Sequence, residues 1–528
     1  MSVLRRWSAL AVLVLPVLLI SIDMSVLGVA VPALSADLEP SSSQLLWIID
    51  LYSFLLAGML VLMGSLGDRF GRRRLLLIGA PAFGLASALA AFSTSPEMLI
   101  ASRALLGLGG ATLMPSTLGL LRTIFPERRE RQAAIAVWAA AFSGGAALGP
   151  VLGGLLLEHF WWGSVFLINV PVMVVFMVAA LVLLPESKDP HPGPFDVPSA
   201  LLSIAGLLLV VYSLKSAVKD AGWVDLATLV AGAALLTVFV RRQRRLEHPM
   251  IDTRLFARPG FSAAVLVNVI AVFTLLGVMF FFPQYLMLVL GMGSAQAGLW
   301  LLPLALATIA GALTSPALAR VVPVRVVIVT GLALLTTGML LASRLEAAGP
   351  LSTFVASSLL IGLGIGLAET LTNDVILTTA PPSRAGAASA ISETGYEFGG
   401  AMGTAVLGTL GMAVYARGLG AGAPAGLDPA QVAGASQTLG AAHEIAGSLP
   451  GEVGLALTQQ ASQAFVAGMD VVAATSAVVL LAAVVIAFRG LAGPVTDGAD
   501  PEPADTAGPE ADPAPADTPA TGSARVGA

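Results

Sequence analysis

The chain has 528 residues, of which 56% are hydrophobic and only 11% charged, against roughly 25% charged in soluble domains. With a mean hydropathy of +0.88 it reads as a polytopic membrane protein, and its net charge of −5 hides a segregation of arginines into short loops and acids into the tail. The absence of cysteine excludes disulfides, thiolate metal sites and cysteine nucleophiles, and the four histidines stand in no metal-ligand spacing.

Arg5 and Arg6 open an apolar run that continues to about Leu34, long enough to span a bilayer, which predicts a retained first helix with its N-terminus inside. A second run near residue 56 carries Asp50 and ends in GSLGDRFGRRR (64–74), whose four arginines mark a cytoplasmic loop. Further apolar runs centre near residues 84, 110, 145, 174, 206, 233, 272, 305, 333, 362, 400 and 478, which makes fourteen expected spans. Threaded this way, 22 of the 27 basic residues fall on the side of the termini. Lys215, Lys219, Arg344 and Arg417 fall on the other side, and Arg103 lies within a span.

Internal repetition supports the count. LLGLG at 105–109 returns as LIGLG at 360–364, Gly145 and Gly149 return as Gly399 and Gly403, and Arg69 has an echo in Arg320. A near-constant shift predicts two homologous halves of six helices each. The expected divisions are an N-terminal bundle at 1–187, a linker at 188–258 with two additional helices treated as peripheral, a C-terminal bundle at 259–489, and a disordered cytoplasmic tail at 490–528. The fold class is therefore an all-α polytopic membrane protein. Residues 416–465, on the outside, are compatible with a solvated loop or with short helices packed over the outer mouth.

Charged groups inside spans are costly and seldom kept without a use. Asp23 in the first helix, Asp50 in the second, and Glu393 with Glu397 on one face of the thirteenth are the strongest candidates. Glu369 of the twelfth is a further candidate to line a cavity. A carboxyl group out of contact with water ionises reluctantly, while an organic cation beside it favours the ionised form and expels the proton. Arg103 needs a carboxylate or carbonyls to face it, and Asp23 is a possible partner, in a static pair or in a coupling one. Tyr396, between Glu393 and Glu397, is the preferred cavity aromatic. Trp47, Tyr52, Phe54, Trp138, Phe142, Phe280 to Phe282 and Tyr285 are further aromatics to consider, whereas Trp161 and Trp162 read as an outer aromatic belt. Gly145, Gly149, Gly153 and Gly154 recur on one helical face beside Pro150, which suits either a generic tight crossing or a specialised one.

Three motifs carry a resemblance. GSLGDRFGRRR (64–74) resembles the loop signature of the major facilitator superfamily, IASRALLGLGGA (100–111) its fourth-helix arginine motif, and GAALGPVLGG (145–154) the fifth-helix motif of its antiporters. With SIDMSVLGVAVPAL (21–34), WIID (47–50), FLINVP (166–171) and SETGYEFGG (392–400), nearly the whole chain resembles the fourteen-helix drug/proton antiporter branch. The resemblance implies the major facilitator fold, proton-driven efflux of cationic or amphipathic antimicrobial drugs, and residence in a bacterial cytoplasmic membrane with both termini inside. It implies that Gly64, Asp68, Arg69, Gly71, Arg72 and Arg73 form a conformational latch, and that Arg103 belongs to proton coupling. It implies the proton gradient as driving force with no cofactor or metal, small organic cations, protons and the lipid bilayer as partners, no nucleic acid, and action as a monomer. Export of one endogenous metabolite or antibiotic would use the same groups; a sensor without transport is a third reading. GxxxxGK[ST] is absent and no nucleophile and base stand in register, so neither an ATP-driven pump nor an enzyme is expected.

Overall fold

A computed structural model describes residues 2–188, 196–220, 222–246, 249, 253–379 and 385–491. Helices dominate, as they must where lipid offers the backbone no hydrogen-bond partner. In chain order they are α1 (Val3–Leu38), α2 (Ser42–Phe70), α3 (Arg72–Ala91), α4 (Pro96–Ile124), α5 (Arg128–His159), α6 (Ser164–Leu167) and α7 (Asn169–Leu183). Then follow α8 (Val197–Asp220), α9 (Trp223–Gln243), α10 (Pro259–Met279), α11 (Phe282–Gln284), α12 (Ser294–Leu318), α13 (Val324–Ala342) and α14 (Leu351–Thr379). The last are α15 (Ala385–Gly403), α16 (Thr409–Ala421), α17 (Pro429–Ala435), α18 (Leu439–Ser448) and α19 (Gly451–Gly490). Single turns of π-helix at Tyr285–Val289 and Thr404–Gly408 join α11 to the chain beyond it and α15 to α16.

Local chemistry sets the ends. Ser41 and Gln44 form a capping box at the start of α2, and Ser95 caps α4 ahead of a proline at its first position. Gly71 separates α2 from α3 at φ +110°, a backbone conformation that a side chain disfavours.

Among the described residues, twelve segments are long and apolar enough to cross a membrane, against fourteen expected. The other two expected spans fall on α5 and on α8, whose apolar stretch, Val197–Ser213, is shorter. Helices α1 to α7 pack mainly on one another, with α4 between α2 and α3, and α5 along α1. Helices α10 to α19 do likewise, with α14 between α12 and α13, and α15 along α10. The two sets meet where α5 crosses α12 and α2 crosses α15.

The sequence repeat is a repeat of contacts. A Cβ on Gly145 would stand 2.7 Å from the Leu18 carbonyl oxygen, and one on Gly149 3.0 Å from that of Ile22. Gly399 and Gly403 abut the carbonyls of Val269 and Phe273 on α10 in the same spacing. Gly107 likewise meets the Tyr52 carbonyl as its counterpart Gly362 meets that of Leu304. Such contacts bring backbones together without a side chain between them.

Of the two forms open for 416–465, short helices rather than a solvated loop are found: α16 extends to Ala421, α19 starts at Gly451, and only α17 and α18 with their short connections lie between. Tyr415 tethers those two helices by donating to the carbonyls of Ala435 (2.8 Å) and Thr438 (3.2 Å). Two expectations are revised. Trp162 is buried and donates to Asp37 at 2.6 Å, so only Trp161 remains exposed. The inserted pair is not uniformly peripheral: α9 is exposed along most of its length, whereas α8 packs against α2 and α15–α16. The tail beyond residue 491 lies outside the described residues.

Candidate functional site

A cavity of about 300 Å³ lies between the two sets of helices. Asp50, Arg103, Glu369 and Tyr396 line it, together with Phe142 and Pro150 of α5. Most of its remaining surface is apolar, from α1, α10, α12 and α15.

Beside it lies a buried ion pair. Arg103 on α4 reaches Asp23 on α1 at 2.6 Å, with side-chain exposures of 2% and 0%. The same guanidinium donates through Nε to the Ile48 carbonyl of α2 at 2.9 Å and lies 4.4 Å from the centroid of the Tyr52 ring. Asn169 donates to the second Asp23 oxygen at 3.4 Å and to Ser87 at 3.0 Å. One charge pair thus ties α1, α2, α3, α4 and α7, and burial is tolerable because each partner is neutralised and hydrogen-bonded.

Tyr396 reaches the cavity, while Glu397 is 1% exposed, does not line it, and has no hydrogen-bond partner for either oxygen among the described residues. Glu393 is half-buried beside Glu369 rather than on the cavity lining. Of the aromatics, Trp138 stacks on Phe142 with centroids 6.4 Å apart, and Phe142 meets Tyr396 edge to face. Phe280 also lines the cavity, but Phe281, Phe282 and Tyr285 belong to the packed core.

The loop motif is held by a partner that the sequence did not single out. Glu186, just past the end of α7, accepts the backbone N–H of Arg73 at 3.1 Å and stands 3.9 Å from the Arg74 guanidinium. A Cβ on Gly71 would lie 2.6 Å from the same carboxylate, which would have to shift, and the φ of +110° favours glycine there in any case. Arg72 donates to the Gly119 carbonyl of α4 at 2.9 Å and Arg73 to the Leu181 carbonyl of α7. Arg69 is exposed, Gly64 makes ordinary contact with Pro115, and the Asp68 side chain lies outside the described residues.

At the other end of the molecule the glycines of α5 meet α12. A Cβ on Gly154 would stand 2.5 Å from the Ser294 carbonyl, and one on Gly298 2.5 Å from that of Pro150. Gly153 instead abuts Val26 of α1. Among the described residues, Glu186, an acid directly after an apolar run, was passed over by sequence reading, as was Asp470, an acid inside the span of α19. No group of three or more His, Cys, Asp or Glu side chains placed to hold a metal ion occurs among the described residues.

Comparison with known proteins agrees with this architecture. The description Major Facilitator Superfamily matches residues 13–404. The chain is 45% identical to the multidrug efflux pump LfrA of Mycolicibacterium smegmatis, covering 92% of this chain and 97% of that one. It is 39% identical to the methyl viologen resistance protein SmvA of Salmonella typhimurium, covering 90% and 96%. The tetracenomycin C resistance and export protein of Streptomyces glaucescens is 34% identical over 96% of each chain. Among solved structures, a bacterial homolog of the human lysosomal transporter Spinster, inward-facing and unoccupied, aligns with a TM-score of 0.64 at 18% identity over 93% of this chain and 98% of that one, a likeness of fold. With a family match over most of its length and relatives of this identity and coverage, the chain belongs to the Major Facilitator Superfamily, whose members are membrane transporters and not enzymes.

Proposed function

We propose that the chain is a proton-coupled antiporter that exports cationic or amphipathic antimicrobial compounds from the bacterial cytoplasm by alternating access. The observation that carries this reading is the charge balance of the cavity. Asp23 and Arg103 neutralise one another, and Glu369 stands as an acid on an apolar and aromatic lining to which Asp50 also contributes. Such a lining suits a compound with a positive charge and an aromatic body. The names of the relatives, multidrug efflux and methyl viologen resistance, point the same way.

In this reading residues 1–187 and 259–489 are the two moving halves, 188–258 links them, and 490–528 is a cytoplasmic tail. Both termini lie in the cytoplasm, on the side favoured by the arginines. Protons and drug compete for cavity acids, so that a proton-loaded and a drug-loaded carrier prefer opposite orientations. The close α5–α12 crossing at Gly154 and Gly298 supports a conformation closed toward the outside. Asp68, Arg69, Arg72 and Arg73 form the inner latch, with Glu186, just past α7, as its anchor. The transporter works as a monomer on the proton gradient alone, without cofactor.

The single-compound relative favours a second reading, export of one endogenous metabolite or antibiotic. Proton release from purified protein in detergent separates the two. Addition of ethidium should release protons from wild type and fewer from Asp50→Asn or Glu369→Gln. Silence of the wild type across several organic cations would favour the dedicated exporter.

A further inference from the structure

Besides the main core, one small apolar cluster stands apart and joins three elements that the chain keeps far from one another. Phe54 of α2, Leu207 and Val211 of α8, and Ala401 and Ala405 of the α15 segment pack together, with Trp47 and Phe398 at the edge. Here α2 belongs to the first set of helices and α15 to the second, so the cluster lies on the seam between them. Helix α8 comes from the inserted pair that has no counterpart in the repeat.

The wall of the central cavity is thin at this seam. Ala401 both lines the cavity and packs in the α8 cluster, and on α2 the cavity-lining Ser53 is the chain neighbour of Phe54. The small side chain of Ala401 leaves little material between the cavity and α8 at that point. On its far side α8 presents Leu201 and Tyr212, 62% and 45% exposed, as a lipid-facing surface would. The docking is close: a Cβ on Gly58 of α2 would meet the Ile204 side chain of α8 at 2.5 Å.

We propose that α8 is the membrane-side wall of the substrate cavity, with Leu207 and Val211 stopping a lateral opening between α2 and α15 through which amphipathic molecules dissolved in the bilayer would reach the cavity. The proposal rests on the exporter reading for its substrate class, but its geometry does not. When the halves move, α2 and α15 must shift against each other, and a seam covered only by those two helices would open to lipid. A third helix bearing branched apolar side chains keeps it shut, as the six-helix repeat alone does not.

The absence of cysteine lets a single cysteine at Ala401 carry a bimane label in otherwise unaltered protein. The label reports exposure to lipid when the protein is reconstituted in vesicles containing brominated phosphatidylcholine. Quenching should be weak with native α8 and at least twofold stronger with Leu207→Ala/Val211→Ala, with Val211→Ala alone moving in the same direction. Unchanged quenching in both would overturn the proposal. A second measurement does not depend on how the truncated variants fold. A Cβ at position 58 would lie 3.6 Å from that of Ile204, within the 3.5–4.5 Å of a disulfide. Gly58→Cys/Ile204→Cys should therefore cross-link on oxidation in intact membranes, and failure to do so would also overturn it. Neither measurement requires transport, so failure here and failure of the exporter reading are distinguishable. If both hold, Leu207→Ala/Val211→Ala should lower net export of tetraphenylphosphonium at least threefold while cation-induced proton release in detergent persists.

Discussion

Phe142 of α5 and Tyr396 of α15 meet edge to face, with ring centroids 6.3 Å apart and planes at 75°. They stand 254 residues apart, the same separation that relates Gly145 to Gly399 and Gly149 to Gly403. Equivalent residues of two repeats can touch only near the axis that relates the repeats. The contact therefore sits where relative rotation of the halves must alter it, at the edge of the cavity that both rings line.

Tyr396→Ala should weaken binding of a planar aromatic cation by about 1–2 kcal/mol, roughly 5- to 30-fold in Kd, while Tyr396→Phe keeps most of the affinity. Ethidium fluorescence titration of purified protein reads this directly. Equal affinity in the alanine variant would remove Tyr396 from the binding surface.

Asp23→Asn leaves the Arg103 guanidinium buried beside a neutral amide, and Arg103→Met leaves Asp23 in the converse position. Each should cost about 3–5 kcal/mol of stability, and the double substitution Asp23→Leu/Arg103→Met should recover much of it. Thermal melting in detergent measures the cycle. Recovery of stability without recovery of export would show that the pair serves transport as well as packing; recovery of both would make it merely structural.

Gly71→Ala places a methyl group against Glu186 and forces φ +110° on an L-residue, a strain of about 1–3 kcal/mol. Export in vesicles should fall several-fold, and Glu186→Asp, which shortens the side chain but keeps its carboxylate, should relieve the steric part in the double variant. No gain in the double variant would mean that backbone strain alone accounts for the loss.

Asp196, just ahead of α8, accepts from Ser199 at 3.2 Å and pairs with Arg242 of α9 at 3.0 Å. Burial pushes its carboxyl up, but the bonds from Ser199 and Arg242 outweigh burial and hold it below the usual carboxylate value. A group depressed on folding stabilises above its unfolded pKa, and that contribution fades as pH falls through the folded value. Asp196→Asn should therefore lower the melting temperature at pH 7 and converge with wild type below about pH 4. With the Arg242 side chain 39% exposed, the effect at neutral pH should be no more than about 1 kcal/mol. A difference that persists undiminished into acid would assign the loss to hydrogen-bond geometry rather than to charge.

Much of the architecture is legible in one dimension because lipid imposes one-dimensional rules. An apolar run of about 20 residues has to span, and a loop rich in arginine has to stay inside. Arg103 has to find a carboxylate or carbonyls, and Asp23 stood among the possible partners; in the folded chain Arg103 meets both Asp23 and the Ile48 carbonyl. The glycine spacing of 145–154 announced a close crossing because glycine lets two backbones approach without a side chain between them. The loop at 64–74 showed its arginines but not its anchor, since Glu186 is distant in sequence and lies in no motif.

Tertiary structure decided what pattern could not. Glu393, Tyr396 and Glu397 share a helix, yet only Tyr396 reaches the cavity, because the pitch of α15 and its packing against α2 turn Glu397 into the seam. The inserted helices lack a counterpart in the repeat, so no internal comparison could locate α8 on the junction of α2 and α15. The sequence by itself determined which segments are helices and that two halves repeat, since these follow from local hydrophobicity and spacing. Which acids face the cavity, what holds the inner loop and what covers the seam depend on long-range packing between helices, and that is settled only when the chain is folded.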